Sequence, residues 1–448
     1  MKNLKTMTKM EPELYAATIT NVNNFIDRFK KLSNKKISEH NVKVEKVQRE
    51  SDEIIEVGAE VIVFVNKIIT EAINLGSSDI HIECFRSTAQ TRFRVDGILK
   101  VMSGYSKYLY DNYNAVVNRF KMISKLDIAE RRKPQDGAST FKATDKEVDL
   151  RVSILPTKNA ERIVLRILNK DAGEKKLNEL GFESKDLEKL IKSITNPQGM
   201  VLVTGPTGSG KTTTLYSILK HINKPGMNIL TAEDPVEYEM EGIGQVQIRE
   251  DIEFTFASAL RSFLRQDPEV ILVGEMRDQI TVDIALKAAL TGHLVFSTLH
   301  TNDAPSSITR LQNMGTPNYL IASALTLIMA QRLARKTCGE CRVIDESVNS
   351  QLLNSIGFLP EQSARAKIYK GSGCDHCNNS GYKGRMGIYE ILEIDKSLKQ
   401  AILSNLQQSE LNTLAKKNGF RTMQNMGHDL LLSGDLTFSE YSRVLQSN

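Results

Sequence analysis

The sequence predicts an α/β protein of more than one domain, and three observations carry that prediction. Gly205-Pro206-Thr207-Gly208-Ser209-Gly210-Lys211-Thr212 lies between an apolar run at 200–204 and a helical segment that begins at Thr213. Three further apolar runs of strand length, at 228–231, 270–273 and 294–298, each end in polar residues. Upstream, short segments at 79–83 and 91–95 alternate apolar and polar side chains, as half-buried strands do.

From the amino terminus onward, residues 1–56 precede the first domain, and the first 50 of them carry eleven Lys or Arg against six Asp or Glu, with pairs at Lys30-Lys31 and Lys35-Lys36. This reads as a basic, flexible arm, either simply solvated or a docking segment for a partner or an anionic lipid surface. A first domain spans 57–168. It opens with apolar positions at helical spacing over 61–73 and continues through the alternating strands, an Asp96-Gly97 turn and further strands at 147–155 and 163–168. The charged stretch within 169–180 is the linker. A second domain, 181–335, holds the four apolar runs. Such runs separated by helices read as buried parallel strands, whose ligands bind at the carboxyl ends. Two C-x-x-C pairs define a module at 336–392, and a mostly helical region covers 393–448.

At 448 residues and 40% hydrophobic content, the chain can bury two or three cores. No apolar run approaches the ~20 residues of a membrane span, and Met1 to Lys5 lead into no signal-peptide core, so a cytoplasmic location is expected. A net charge of +5 suits acidic membranes, nucleic acid or acidic proteins and selects none of them.

The glycine-rich loop has the residues a phosphate cradle needs. Glycines let successive N–H groups point inward, and the following helix aims its positive end at the same place. Gly205 through Thr213 would bind the nucleotide, with Lys211 on the β and γ phosphates and Thr212 on Mg²⁺. Hydrolysis also needs a held metal, a positioned water and charge neutralisation. Glu275, after the third run, is placed to hold Mg²⁺ directly or through water. Glu233, after the second, is the candidate to polarise the attacking water, with Asp234 and Glu237 assisting; paired acids there could instead cap the next helix. His300, at the carboxyl end of the fourth run, could donate an N–H to the γ phosphate, while His293 at its start has either a functional or a structural role.

Cys338, Cys341, Cys374 and Cys377 form the ligand set of a closed structural Zn²⁺ site. Their central spacer exceeds the ~15–20 residues of a zinc ribbon, so nucleic-acid binding does not follow. His376 could replace one cysteine. Cys84 stands alone and reads as a buried filler.

These blocks together resemble the secretion-superfamily ATPases that drive bacterial type II secretion and type IV pilus assembly. Residues 205–212 are similar to the family's Walker A, Thr231-Ala232-Glu233-Asp234-Pro235-Val236-Glu237 to its Asp box, Gly274-Glu275-Met276-Arg277-Asp278 to its Walker B, and 292–302 to its His box. Further matches are Ser78-Asp79-Ile80-His81-Ile82-Glu83, Arg94-Val95-Asp96-Gly97, Pro134-Gln135-Asp136-Gly137 and Gly381-Tyr382-Lys383-Gly384-Arg385.

The resemblance implies a PAS-like first domain and a RecA-like P-loop second domain with a small zinc-binding insert. It also implies an ATP- and Mg²⁺-dependent homo-hexamer, peripheral at the inner face of the inner membrane, working with platform and docking proteins and without nucleic acid. Arg151 and Arg166, by motif alignment, would reach the phosphates as the domains close. Ala138 stands where family members commonly have an arginine. The tetracysteine module favours an assembly or secretion motor over a retraction motor, and the residues before the first domain are too few for a folded docking domain. Two other readings are a RecA-like nucleic-acid translocase or DNA-uptake motor, against which the Asp box and first-domain blocks argue, and a nucleotide-gated scaffold, against which Glu233 and Glu275 argue.

Overall fold

The computed structural model describes residues 58–143, 147–168 and 175–446. The basic arm and half of the linker lie outside the described residues.

Helix α1 (Ala59–Asn74) buries Val61, Val65, Ile68, Ile69 and Ala72, a spacing that puts them on one face. It precedes β1 (Ser77–Cys84), β2 (Ala89–Val95), β3 (Ile98–Met102), α2 (Ser106–Asp111), α3 (Tyr113–Ile123), β4 (Gln135–Lys142), β5 (Glu147–Pro156) and β6 (Glu161–Leu168). The strands form an antiparallel sheet of order β3-β2-β1-β6-β5-β4. One face, including Ile80, Ile82, Phe93, Leu150 and Val152, shares a core with α1 and α3. Alternation sends Asp79, Glu83, Arg92, Arg94, Arg151 and Arg166 to the other face. There Asp79 binds Arg94 at 3.3 Å and Arg166 at 3.2 Å, and Glu83 binds Arg92 at 2.7 Å and Arg162 at 3.0 Å. Strand β4 went unread in the sequence because none of its residues is fully buried, so it lacks an apolar stripe. Its Gly137 is needed for space: a Cβ there would sit 2.7 Å from the Ser124 carbonyl oxygen.

The second sheet has order β15-β12-β7-β11-β10-β8-β9. After α4 (Ser184–Ile194), β7 (Gly199–Thr204), α5 (Lys211–Ile222), β8 (Ile229–Glu233), β9 (Gly244–Gln247), α6 (Phe256–Phe263), β10 (Val270–Val273), α7 (Gln279–Leu290) and β11 (Leu294–Leu299) come α8 (Ala304–Asn313), α9 (Asn318–Ala324) and β12 (Leu325–Thr337). The four predicted runs are β7, β8, β10 and β11, and they pair in parallel. All six residues of β7 are buried, which is why its sequence is continuously apolar. Strand β12 follows α9 without a break, so its apolar residues carry no boundary signal, yet it flanks β7 in parallel and β15 (Tyr382–Glu393) antiparallel.

Between β12 and β15 lie a small ribbon, β13 (Arg342–Ile344) with β14 (Tyr369–Gly371), and two short helices, α10 (Ser350–Ser355) and α11 (Pro360–Arg365). Helices α12 (Lys396–Leu403), α13 (Gln408–Lys417), α14 (Met423–Ser433) and α15 (Phe438–Tyr441) follow, and their apolar residues join the core of the second sheet. Among the described residues, no helix is long and apolar enough to cross a membrane.

A buried ion cluster fastens this tail. Glu440, fully buried, accepts from the Arg335 amide at 2.8 Å and its Nη2 at 2.8 Å, and also pairs with Arg443. The Arg335 guanidinium stacks 3.8 Å from the Tyr382 ring centroid. Burial alone would raise the Glu440 carboxyl, but hydrogen bonds from Arg443 and Arg335 hold it at about 2. A depressed carboxyl pKa adds stability that is fully present above its ordinary 4.5 and is lost as pH falls from there toward 2. Glu440→Ala, which removes the carboxylate that this pKa depression stabilises, is therefore expected to cost about 3 kcal/mol near pH 7 in urea unfolding and to weaken the acid dependence of stability below pH ~4.5.

Candidate functional site

The loop after β7 is shaped by its neighbours as much as by its glycines. Gly205 has φ +143°, and a Cβ there would lie 2.4 Å from the Gln331 carbonyl oxygen and 2.7 Å from Ser209 Oγ. Gln331, on β12, also donates through Nε2 to the Ser209 carbonyl at 2.7 Å. Gly210, at φ +91°, leads directly into α5, whose first-turn N–H groups therefore face the loop. Lys211 donates to the carbonyls of Gly205 at 2.8 Å and Pro206 at 3.1 Å. Burial lowers its pKa, with Glu275 opposing. Among the described residues the buried hydroxyls of Thr204 and Ser209 have no hydrogen-bond partner. A cationic amine, a helix start and spare hydroxyls around a Cβ-free turn fit a phosphate.

Beside the loop, a cavity of about 130 Å³ is lined by Lys211, Thr212, Glu233, Glu237 and Glu275, among others. The parallel register brings these groups together, since β8 and β10 both end here. Glu233 closes β8 and is only 5% exposed. Its Oε1 accepts from Thr231 Oγ1 at 2.5 Å and Gln245 Nε2 at 3.3 Å, and its Oε2 from the Tyr216 hydroxyl. Glu275 pairs with Arg277 and lies 3.8 Å from His300 Nε2. Burial, and then Lys211, hold His300 below its ordinary 6.5, so at neutral pH it is an uncharged ring able to present one N–H.

Asp234 is exposed and caps no helix; the next one, α6, is capped by Thr255. His293 Nδ1 lies 3.0 Å from the Ala288 carbonyl in the last turn of α7, a structural tie. Cys84, at the end of β1, is half-buried and packs against the edge of the first sheet's apolar core, with its Sγ 3.5 Å from the Phe85 carbonyl.

The two arginines are placed differently. Arg151, on β5, spans to the segment after β8, where it donates to the Val236 carbonyl at 2.7 Å and to Glu237 at 3.0 Å. Arg166, its register partner on β6, is held by Asp79 and 61% exposed. Ala138 faces Arg151 across β4–β5, so a methyl group stands where a second guanidinium would crowd the first. Tyr216, Gln245 and Gln331 escaped sequence reading: each lies outside the motif blocks and has no local signal of its own.

Cys338, Cys341, Cys374 and Cys377 converge at the ends of β12 and β15, their sulfurs all within 4.8 Å of one another. Sulfur separations of 3.7, 3.8 and 3.9 Å match the edge of about 3.8 Å for a tetrahedron with metal–sulfur bonds of ~2.3 Å. Backbone N–H groups of Gly373 and Gly381 donate to Cys341 and Cys377 at 3.3 and 3.2 Å, as suits thiolates. This donor set fits a metal ion.

Phosphate loop, paired carboxylates and a parallel sheet define a P-loop protein of the RecA-like α/β class. The sequence profile described as Type II/IV secretion system protein matches residues 56–443, and the chain belongs to that family. It is 45% identical over 384 residues to the type IV pilus assembly ATPase PilB of Myxococcus xanthus, covering 85% of this chain and 67% of that protein. To the type II secretion system protein E of Dickeya dadantii it is 43% identical over 399 residues, 88% of this chain and 78% of that one. The crystal structure of the pilus retraction motor PilT with bound ADP superposes with a TM-score of 0.58 at 27% identity, covering 84% of this chain and 96% of PilT.

Proposed function

We infer that this chain is an ATP-hydrolysing motor that powers assembly of a type IV pilus or a type II secretion pseudopilus. The observation that carries the inference is the convergence of Lys211, Thr212, Glu233 and Glu275 on one cavity beside the phosphate loop. Residues 205–213 cradle the triphosphate, with the Lys211 ammonium neutralising the β and γ phosphates. Thr212 and Glu275 are the groups to hold Mg²⁺, which when bound adds positive charge where the leaving phosphates gather negative charge. Glu233 orients the attacking water, and neutral His300 donates its N–H toward the γ phosphate.

Residues 57–168 act as a PAS-like domain and 181–335 as a RecA-like core, joined by the linker at 169–180. Closure of the first on the second delivers Arg151, with Arg166 on the neighbouring strand following at full closure, and so couples hydrolysis to movement. The motor works as a homo-hexamer at the inner face of the inner membrane, against platform and docking proteins, with the positive charge of residues 1–56 suited to anionic lipid. Zn²⁺ in the four-cysteine site at 336–392 holds the module together. Relatives of both the pilus and the secretion kind, at comparable identity, support the breadth of this reading.

Purified protein should hydrolyse ATP in a Mg²⁺-dependent way, with turnover abolished by Lys211→Ala and cut ~10²-fold or more by Glu233→Gln. Turnover unaffected by Lys211→Ala would refute the enzymatic reading. Elemental analysis should find one zinc per chain, lost in Cys341→Ser together with a lower melting temperature; a metal-free native protein of unchanged stability would contradict the zinc assignment.

A further inference from the structure

Buried Glu233 owes its orientation partly to a residue outside every motif block. Tyr216 lies one helical turn beyond Thr212 on α5, so both side chains leave the helix on the face that lines the cavity. Its ring is 1% exposed and meets Tyr238 edge-on, with centroids 4.6 Å apart. Burial, reinforced by the Glu233 carboxylate, pushes the phenol far above its ordinary value. The group therefore stays an O–H, with one proton to give, and Glu233 Oε2 accepts it. The Tyr216 hydroxyl oxygen in turn accepts the backbone N–H of Glu237 at 3.3 Å and faces Gln245 Nε2 at 3.5 Å. Glu237 in turn holds Arg151 at 3.0 Å. One phenol thus stands between the carboxylate at the end of β8 and the segment that receives the arginine of the first sheet.

We propose that Tyr216 is a positioning residue for hydrolysis: its hydroxyl fixes the rotamer of Glu233 and ties it to the backbone at Glu237, so that carboxylate and arginine-receiving segment move as one unit. The proposal rests on the reading of Glu233 as the group that orients water. A phenol that merely filled the core would do its work through the ring, which phenylalanine supplies equally well. The hydroxyl contributes only direction, and direction is what a water-orienting carboxylate needs.

The test compares full-length wild type, Tyr216→Phe, Glu233→Gln and the double variant by steady-state ATP hydrolysis, with ADP affinity and melting temperature measured alongside. In Tyr216→Phe, kcat should fall about tenfold, the scale of one hydrogen bond to a charged group, while KM and ADP affinity stay near wild type and the melting temperature drops by only a few degrees, the protein remaining folded at the assay temperature. The double variant should be no slower than Glu233→Gln alone, because the hydroxyl acts through that carboxylate. Tyr216→Phe at wild-type kcat would overturn the positioning role and, with Glu233→Gln still slow, leave the reading of Glu233 intact. Fully multiplicative losses in the double variant would also overturn it, as would a slow Tyr216→Phe beside an unimpaired Glu233→Gln, which in addition removes the role of Glu233.

Discussion

Burial of the Glu233 carboxylate is the constraint around which the rest of the site is arranged. A carboxylate away from water must be supplied with hydrogen-bond donors or its burial costs stability. Thr231, Gln245 and Tyr216 supply them from three separate elements, β8, β9 and α5. Each donor fixes its own backbone, so the strand edge, the helix that begins at the phosphate loop and the turn carrying Glu237 are set by one charged group. The Arg151 contact depends on that turn.

Two ion clusters of similar chemistry carry different weights. At Glu440 the carboxylate is sealed from solvent and held by charge-assisted hydrogen bonds from Arg335, itself mostly buried, and from Arg443 at the cluster's outer side. The pair Arg151–Glu237 is about a third exposed on both sides, at 31% and 32%, so solvent screening reduces it to the ~0–1 kcal/mol of a surface ion pair. A contact of that size opens and closes on thermal energies, whereas the Glu440 cluster does not. The tail is thus fastened to the second sheet, while Arg151 is held by that exposed ion pair and one hydrogen bond to the Val236 carbonyl, contacts that a phosphate can replace. That contrast is what the proposed movement of a PAS-like domain against a RecA-like core requires.

Much of this was legible in the sequence because burial on both faces leaves a plain signature. Strands β7, β8, β10 and β11 read as apolar runs, and the carboxyl-end rule groups Lys211, Glu233, Glu275 and His300 from the sequence alone. Exposed or unpunctuated elements did not announce themselves. Strand β4 buries no residue fully, and β12 continues from α9 without a breaker. Missing β12 hid Gln331, the side chain that braces the phosphate loop. Tyr216 was hidden for a different reason: a tyrosine on an amphipathic helix looks like core, and only the end of β8 packed against it reveals what its hydroxyl does.

The most direct measurement is single-turnover ATP hydrolysis by Arg151→Ala, set beside its equilibrium affinity for ADP. If the first sheet completes the site, hydrolysis should slow by about 10³-fold, the lower end for an arginine that stabilises transferring phosphate, while ADP affinity changes little. Hydrolysis at the wild-type rate would contradict the central claim, because the cavity beside Lys211 and Glu233 would then be complete without any group from the first sheet.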